Sequence, residues 1–150
     1  MCSSDLLGAG SRILYVSDEN PEILERLQPD PADKPRVQRG VELVKNSKRM
    51  FVTSKAGTNL EISVEGARCG GGWGAVEGPG DRGHWPGGLV ACYPQGGGVS
   101  GTLVLDTGDI NLTFKRYIER PITLTIEDDH ITRIEGSGVD AELMRSYIAA

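Results

Sequence analysis

Apolar residues first gather at Ile13-Leu14-Tyr15-Val16, a continuous run of the length of one short buried strand. Asn20-Pro21 follows, an N-cap residue ahead of a proline at the first helical position, and predicts a short helix over Glu22 to Leu27. Asp30-Pro31 repeats that start signal. Val37, Val41 and Val44 then recur at i, i+4 and i+7 up to Lys48, which predicts an amphipathic helix despite Gly40 within the pattern. At Arg49 the period becomes two. Met50 to Ser54 and Leu60 to Val64 alternate on either side of Ala56-Gly57-Thr58-Asn59, the signature of a hairpin. Further strands are predicted at Leu89 to Tyr93, Gly101 to Leu105, Ile122 to Ile126 and Ile131 to Ile134, the last two joined by the turn Glu127-Asp128-Asp129-His130. Ser137 to Asp140 is expected to cap a closing helix whose Val139, Leu143, Met144, Tyr147 and Ile148 are apolar at helical spacing.

This order is α+β: a short helical N-terminal segment, then a β-rich domain with a glycine-rich loop and a closing helix. Residues 1–11 carry no periodicity and are expected to be disordered or a non-native lead. Residues 12–48 read as the end of an α/β segment and residues 49–150 as the β-rich domain, with the boundary at Arg49. Because the chain stops at Ala150 inside an amphipathic pattern, the β-rich domain is expected to be truncated and the chain to be a fragment.

Composition narrows the function classes. With 150 residues and 38% hydrophobic content, one modest core is the natural expectation. The net charge of -5 is not gathered into runs, which argues against a nucleic-acid or anionic-membrane surface. Three cysteines, Cys2, Cys69 and Cys92, lie far apart in sequence and form no C-x-x-C pair, as suits free thiols in a reducing cytoplasm. No apolar run approaches the ~20 residues of a membrane span.

Chemistry concentrates in the glycine-rich span from Gly70 to Gly101, above all in Gly83-His84-Trp85-Pro86-Gly87-Gly88. Repeated glycine in a folded domain signals unusual φ angles or close approach of backbone to something bound. A structural or mobile loop is the alternative, although two tryptophans, a histidine and prolines weigh against a pure linker. The span lacks a P-loop, and strand-like rather than helical sequence follows it, so it is not a nucleotide loop. His84 is one of two histidines; it can hydrogen-bond a polar aromatic ligand beside the Trp85 ring, or it can be a surface or core histidine satisfied by backbone carbonyls. His130 reads as solvated in its turn. The two fall on different elements, with no His-x-Asp or His-x-x-x-His spacing, so no metal site is expected within the chain. Ser100 and Ser137 lie in no nucleophile-elbow context.

Pro21-Glu22-Ile23-Leu24, the helix running to Asn46-Ser47-Lys48, the stretch Val52 to Leu60, Gly83 to Gly88 and Ile134-Glu135-Gly136 together resemble the 2,5-dihydroxypyridine 5,6-dioxygenase family over residues 12–150. His84-Trp85-Pro86-Gly87-Gly88 is the most specific piece. The hairpin with Ala56-Gly57-Thr58 is also similar, more loosely, to thermophilic leucyl aminopeptidases. Those carry a metal-binding glutamate where this chain has Leu89, and leucine cannot ligate a metal. The resemblance implies an Fe(II)-dependent, extradiol-like opening of a dihydroxypyridine by dioxygen in nicotinic acid or pyridine breakdown. It further implies a homo-oligomeric parent enzyme whose iron is held by two histidines and an aspartate beyond residue 150. His84 would then face the substrate as an acid-base or hydrogen-bonding catalytic residue, with Trp85, Pro86, Gly87 and Gly88 binding the substrate. Alone, the chain is expected to be inactive. An aminopeptidase-like fragment and a non-catalytic binding or assembly module are the alternatives.

Overall fold

The computed structural model describes residues 3–17, 20–28 and 30–149. The first half runs α1 (Ser3–Gly8), β1 (Ile13–Tyr15), α2 (Pro21–Arg26), α3 (Asp33–Lys45), β2 (Arg49–Thr53), β3 (Asn59–Ser63) and β4 (Arg68–Gly72). It continues with β5 (Arg82–His84), β6 (Leu89–Tyr93), β7 (Val99–Leu105), β8 (Ile110–Asn111) and β9 (Arg116–Tyr117). β10 (Ile122–Glu127), β11 (His130–Glu135) and α4 (Val139–Ile148) close the chain. The mixed helix and strand content, the sheet-rich portion and the C-terminal helix agree with the expected class. Residues Ser3–Gly8 of the lead form a helix, while residues 1 and 2 lie outside the described set. One part of the expectation changes. The glycine-rich span is not one loop: Gly70, Gly71 and Gly72 belong to β4, and Gly83 belongs to β5.

The chain divides into two compact units, one of residues 1–46 and 68–93, the other of residues 47–67 and 94–150. This division is discontinuous in sequence, with β4 to β6 joining the N-terminal unit, and packing shows why. β4 pairs antiparallel with β6, and α3 packs on that ribbon. A Cβ at Gly71 would collide with Val37 and Val41 of α3, and one at Gly40 would meet Val90 Cγ2 at 2.8 Å. Missing side chains on both surfaces let helix and ribbon approach. This draws β4 to β6 into the N-terminal unit, where Val37 is buried.

In that unit, Asn20 caps α2 as the sequence predicts, its Oδ1 accepting from Glu22 N at 2.9 Å with Pro21 at the first turn. Asp30 does not cap α3. Its Oδ1 instead takes Ala32 N at 2.8 Å, closing the turn before the helix.

The other unit is an antiparallel sheet in the order β11-β10-β7-β3-β2. Its core gathers Ile118, Ile122, Leu124 and Ala141, against which Leu103, Leu105, Ile131, Ile134 and Met144 pack. The two-residue turn between β10 and β11 places Asp128 and Asp129 at positive φ, 48° and 70°, as a type I′ hairpin demands. Asp129 Oδ1 also accepts from Val99 N at 2.7 Å. His130 is exposed, with Nδ1 2.7 Å from Asp128 O. Thr58 is buried, donating through Oγ1 to Val104 O at 3.3 Å and accepting from Val104 N at 3.1 Å, so the Ala56-Gly57-Thr58 turn is tied to the central strand β7.

Asp140 was expected in the cap of the closing helix, but Gly138 is the N-cap and makes no side-chain bond. Asp140 is 5% exposed and turns inward: Oδ2 accepts from Glu119 N at 3.1 Å, and Arg116 Nε lies 2.7 Å from Oδ1 as an ion pair. Removing Asp140 takes this ion pair from Arg116, which keeps Glu119, and leaves Glu119 N without its acceptor. Asp140→Ala should therefore cost about 2–3 kcal/mol of unfolding free energy. Asp140→Asn, which keeps an acceptor for Glu119 N, should cost about 1 kcal/mol. Urea denaturation of the chain measures both, and a loss below about 0.5 kcal/mol for the alanine variant would contradict this fastening role.

Candidate functional site

Strands β1 and β5 pair in parallel, with Ile13 opposite Arg82, Leu14 opposite Gly83 and Tyr15 opposite His84. Trp85 N extends the ladder by donating to Tyr15 O at 2.9 Å. The pairing brings two rings side by side: Tyr15 and His84 stack with centroids 4.9 Å apart and planes inclined by 24°. Stacking fixes one face of the imidazole, and no described residue hydrogen-bonds either ring nitrogen. His84 is exposed.

Beside the stack lies a cavity of about 670 Å³ whose lining includes Tyr15, His84, Pro86, Gly70, Gly72 and Leu89. Its volume is in the range that holds a small organic ligand. The glycines of β4 make the room, since a Cβ at Gly70 or Gly72 would meet nothing within 4 Å. Leu89, 60% exposed, offers an apolar surface. Trp73 also reaches the cavity. Its ring lies under Lys34 Nζ, 5.5 Å from the centroid, and Lys34 pairs with Glu77. The buried Trp73 Nε1 has no acceptor among the described residues. The approach to β5 is held by Asp81, whose Oδ2 accepts from Gly78 N at 2.6 Å and whose carbonyl takes Ile13 N at 2.9 Å.

Of the five residues singled out in the sequence, His84 and Pro86 line the cavity. Trp85, Gly87 and Gly88 do not stand among its lining residues; they build the turn behind it. Gly88 N donates to Gly72 O at 2.9 Å, and Gly87 lies flat against the backbone of Trp73 and Gly74. Tyr15 and Trp73 escaped the sequence reading as site residues. Tyr15 sat in an apolar run, and only the parallel pairing of two distant three-residue strands reveals its neighbour. Among the described residues no group of three or more His, Cys, Asp or Glu side chains could hold a metal ion, so these residues do not fit an iron site. No helix among them is long and apolar enough to cross a membrane.

His84 thus stands among the lining residues of a cavity of ligand-holding volume. The chain belongs to the 2,5-dihydroxypyridine 5,6-dioxygenase (NicX) family, which it matches over residues 2–150. It is 40% identical over 143 residues to the 2,5-dihydroxypyridine 5,6-dioxygenase of Pseudomonas putida, covering 95% of this chain and 40% of that enzyme. The solved structure of the 2,5-dihydroxypyridine dioxygenase from Pseudomonas putida superposes with a TM-score of 0.86 at 39% identity, over 97% of this chain and 41% of that one. The chain thus spans about two fifths of the length of these relatives.

Proposed function

We propose that this chain is part of an Fe(II)-dependent dioxygenase that opens the ring of a dihydroxypyridine in pyridine catabolism, and that it supplies the substrate-side wall of the active site. The observation that carries the reading is the placement of His84 on the rim of a 670 Å³ cavity with its ring nitrogens unengaged by described residues. A neutral imidazole there accepts the proton of a ring hydroxyl or holds the resulting oxygen by a hydrogen bond. Pro86 and Leu89 supply apolar surface for the ring faces. In this reading the described residues do not supply the iron ligands, and the chain alone is inactive. The exposed Leu89 offers no metal-ligating atom, which favours this reading over the aminopeptidase one.

The test grafts this sequence in place of the matched segment of the Pseudomonas putida enzyme. With Fe(II) supplied, the folded graft should consume 2,5-dihydroxypyridine and dioxygen one for one, followed by oxygen electrode and by loss of ring absorbance. A graft that folds and loads iron yet leaves the ring intact would overturn the reading.

A further inference from the structure

Cys69 and Cys92 are 23 positions apart in sequence, yet the antiparallel register of β4 and β6 sets them directly opposite each other. Side chains alternate between the two faces of a ribbon, and directly opposed residues share a face. Which face follows from their neighbours. Gly71, two positions from Cys69, abuts Val37 and Val41 of α3, and Val90, two positions from Cys92, abuts Gly40. Both sulfurs therefore lie on the α3 face of the ribbon, while Gly70, Gly72 and Leu89 contribute to the cavity. Both cysteines are half-buried thiols, and Cys69 borders a groove of about 450 Å³ lined also by Val41, Glu42 and Lys45. Opposed residues of an antiparallel pair hold their Cβ atoms about 4.5–5.5 Å apart, and a disulfide needs about 3.5–4.5 Å, so a small closure suffices.

We propose that Cys69 and Cys92 form an oxidisable cross-strand dithiol, a modification site that a low-molecular-weight disulfide converts to an intramolecular disulfide. The thiolate of one cysteine attacks a sulfur of the small disulfide, forming a mixed disulfide and releasing one thiolate. The second cysteine then attacks the protein sulfur of that mixed disulfide, forming the Cys69–Cys92 bond and releasing the other. The two cysteine protons go to the two released thiolates. The cysteines lose two electrons and the small disulfide gains them. The groove beside Cys69 gives the reagent a route that does not pass through the cavity, so the proposal stands independently of the ring-cleavage reading.

The experiment uses the 150-residue chain with Cys2→Ser, so that only this pair reports. The chain is equilibrated with glutathione disulfide and reduced glutathione, quenched with iodoacetamide, and analysed by intact mass and peptide mapping. The expected product has lost two hydrogens, takes up no alkyl group and links the Cys69 and Cys92 peptides. Cys69→Ser or Cys92→Ser should instead stop at the glutathione adduct. The equilibrium constant for closure should fall about a hundredfold or more when the same exchange is run in unfolding urea, because only the folded ribbon holds the thiols together. Two alkylated cysteines, stable adducts at both, or equal constants with and without urea would each overturn the proposal.

Discussion

His84→Ala in the grafted enzyme is expected to lower kcat/KM for 2,5-dihydroxypyridine by about 10²- to 10³-fold, the usual worth of a positioned acid-base group. Most of that loss should appear in kcat. The cavity wall around the site keeps Tyr15, Pro86 and Leu89, so ring binding persists while proton transfer does not. His84→Gln, which can hydrogen-bond but cannot carry a proton at neutral pH, should likewise keep binding without recovering turnover. Steady-state kinetics with oxygen uptake separate the two. If His84→Ala left kcat/KM within about threefold of the parent, the imidazole would be a stacking partner of Tyr15 and nothing more. If it raised KM alone, His84 would bind the ring without entering the chemistry.

Much of the scaffold was legible because it obeys simple periods. The hairpin at β2 and β3, the strands β6, β7, β10 and β11, and the helices α3 and α4 fall where the apolar pattern placed them, and α2 falls where its N-cap and proline placed it. The glycine-rich span was not, and its failure is informative. Arg68-Cys69-Gly70-Gly71-Gly72 has almost no β propensity, yet it is a strand because β6 pairs with it and α3 demands a residue without Cβ at Gly71. Tertiary contact overrode local preference. β1 and β5 are three residues each, and their parallel pairing has no local signal at all. Asp140 misled in another way. An acidic residue near a helix start reads as a cap, whereas its carboxylate is consumed by Arg116 and Glu119 N. His84 itself was legible as a candidate because its motif is short and rich in rare residue types. Its stacking partner was not.

The glycines of that motif are where stability and function can be told apart. A ligand-facing Gly87 would tolerate alanine in folding and lose affinity; the packing says the opposite. A Cβ there would fall inside the van der Waals envelope of Trp73 C, Trp73 O and Gly74 N, all backbone atoms that no rotamer change can move aside. Gly87→Ala is therefore expected to cost about 3–4 kcal/mol or more, as overpacking against backbone does at the severe end of its range. Forcing the two strands of chain apart should also break the Gly88 N to Gly72 O bond. Gly88 provides the internal contrast. Its φ is +84°, but a Cβ would meet nothing within 4 Å. Gly88→Ala should cost only the left-handed backbone penalty, about 1–2 kcal/mol. Urea denaturation of the two variants gives the comparison directly, and chemical-shift titration with 2,5-dihydroxypyridine reports whether the cavity survives in each. A Gly87→Ala chain as stable as its parent but weaker in binding the ring would return Gly87 to the substrate side of the wall.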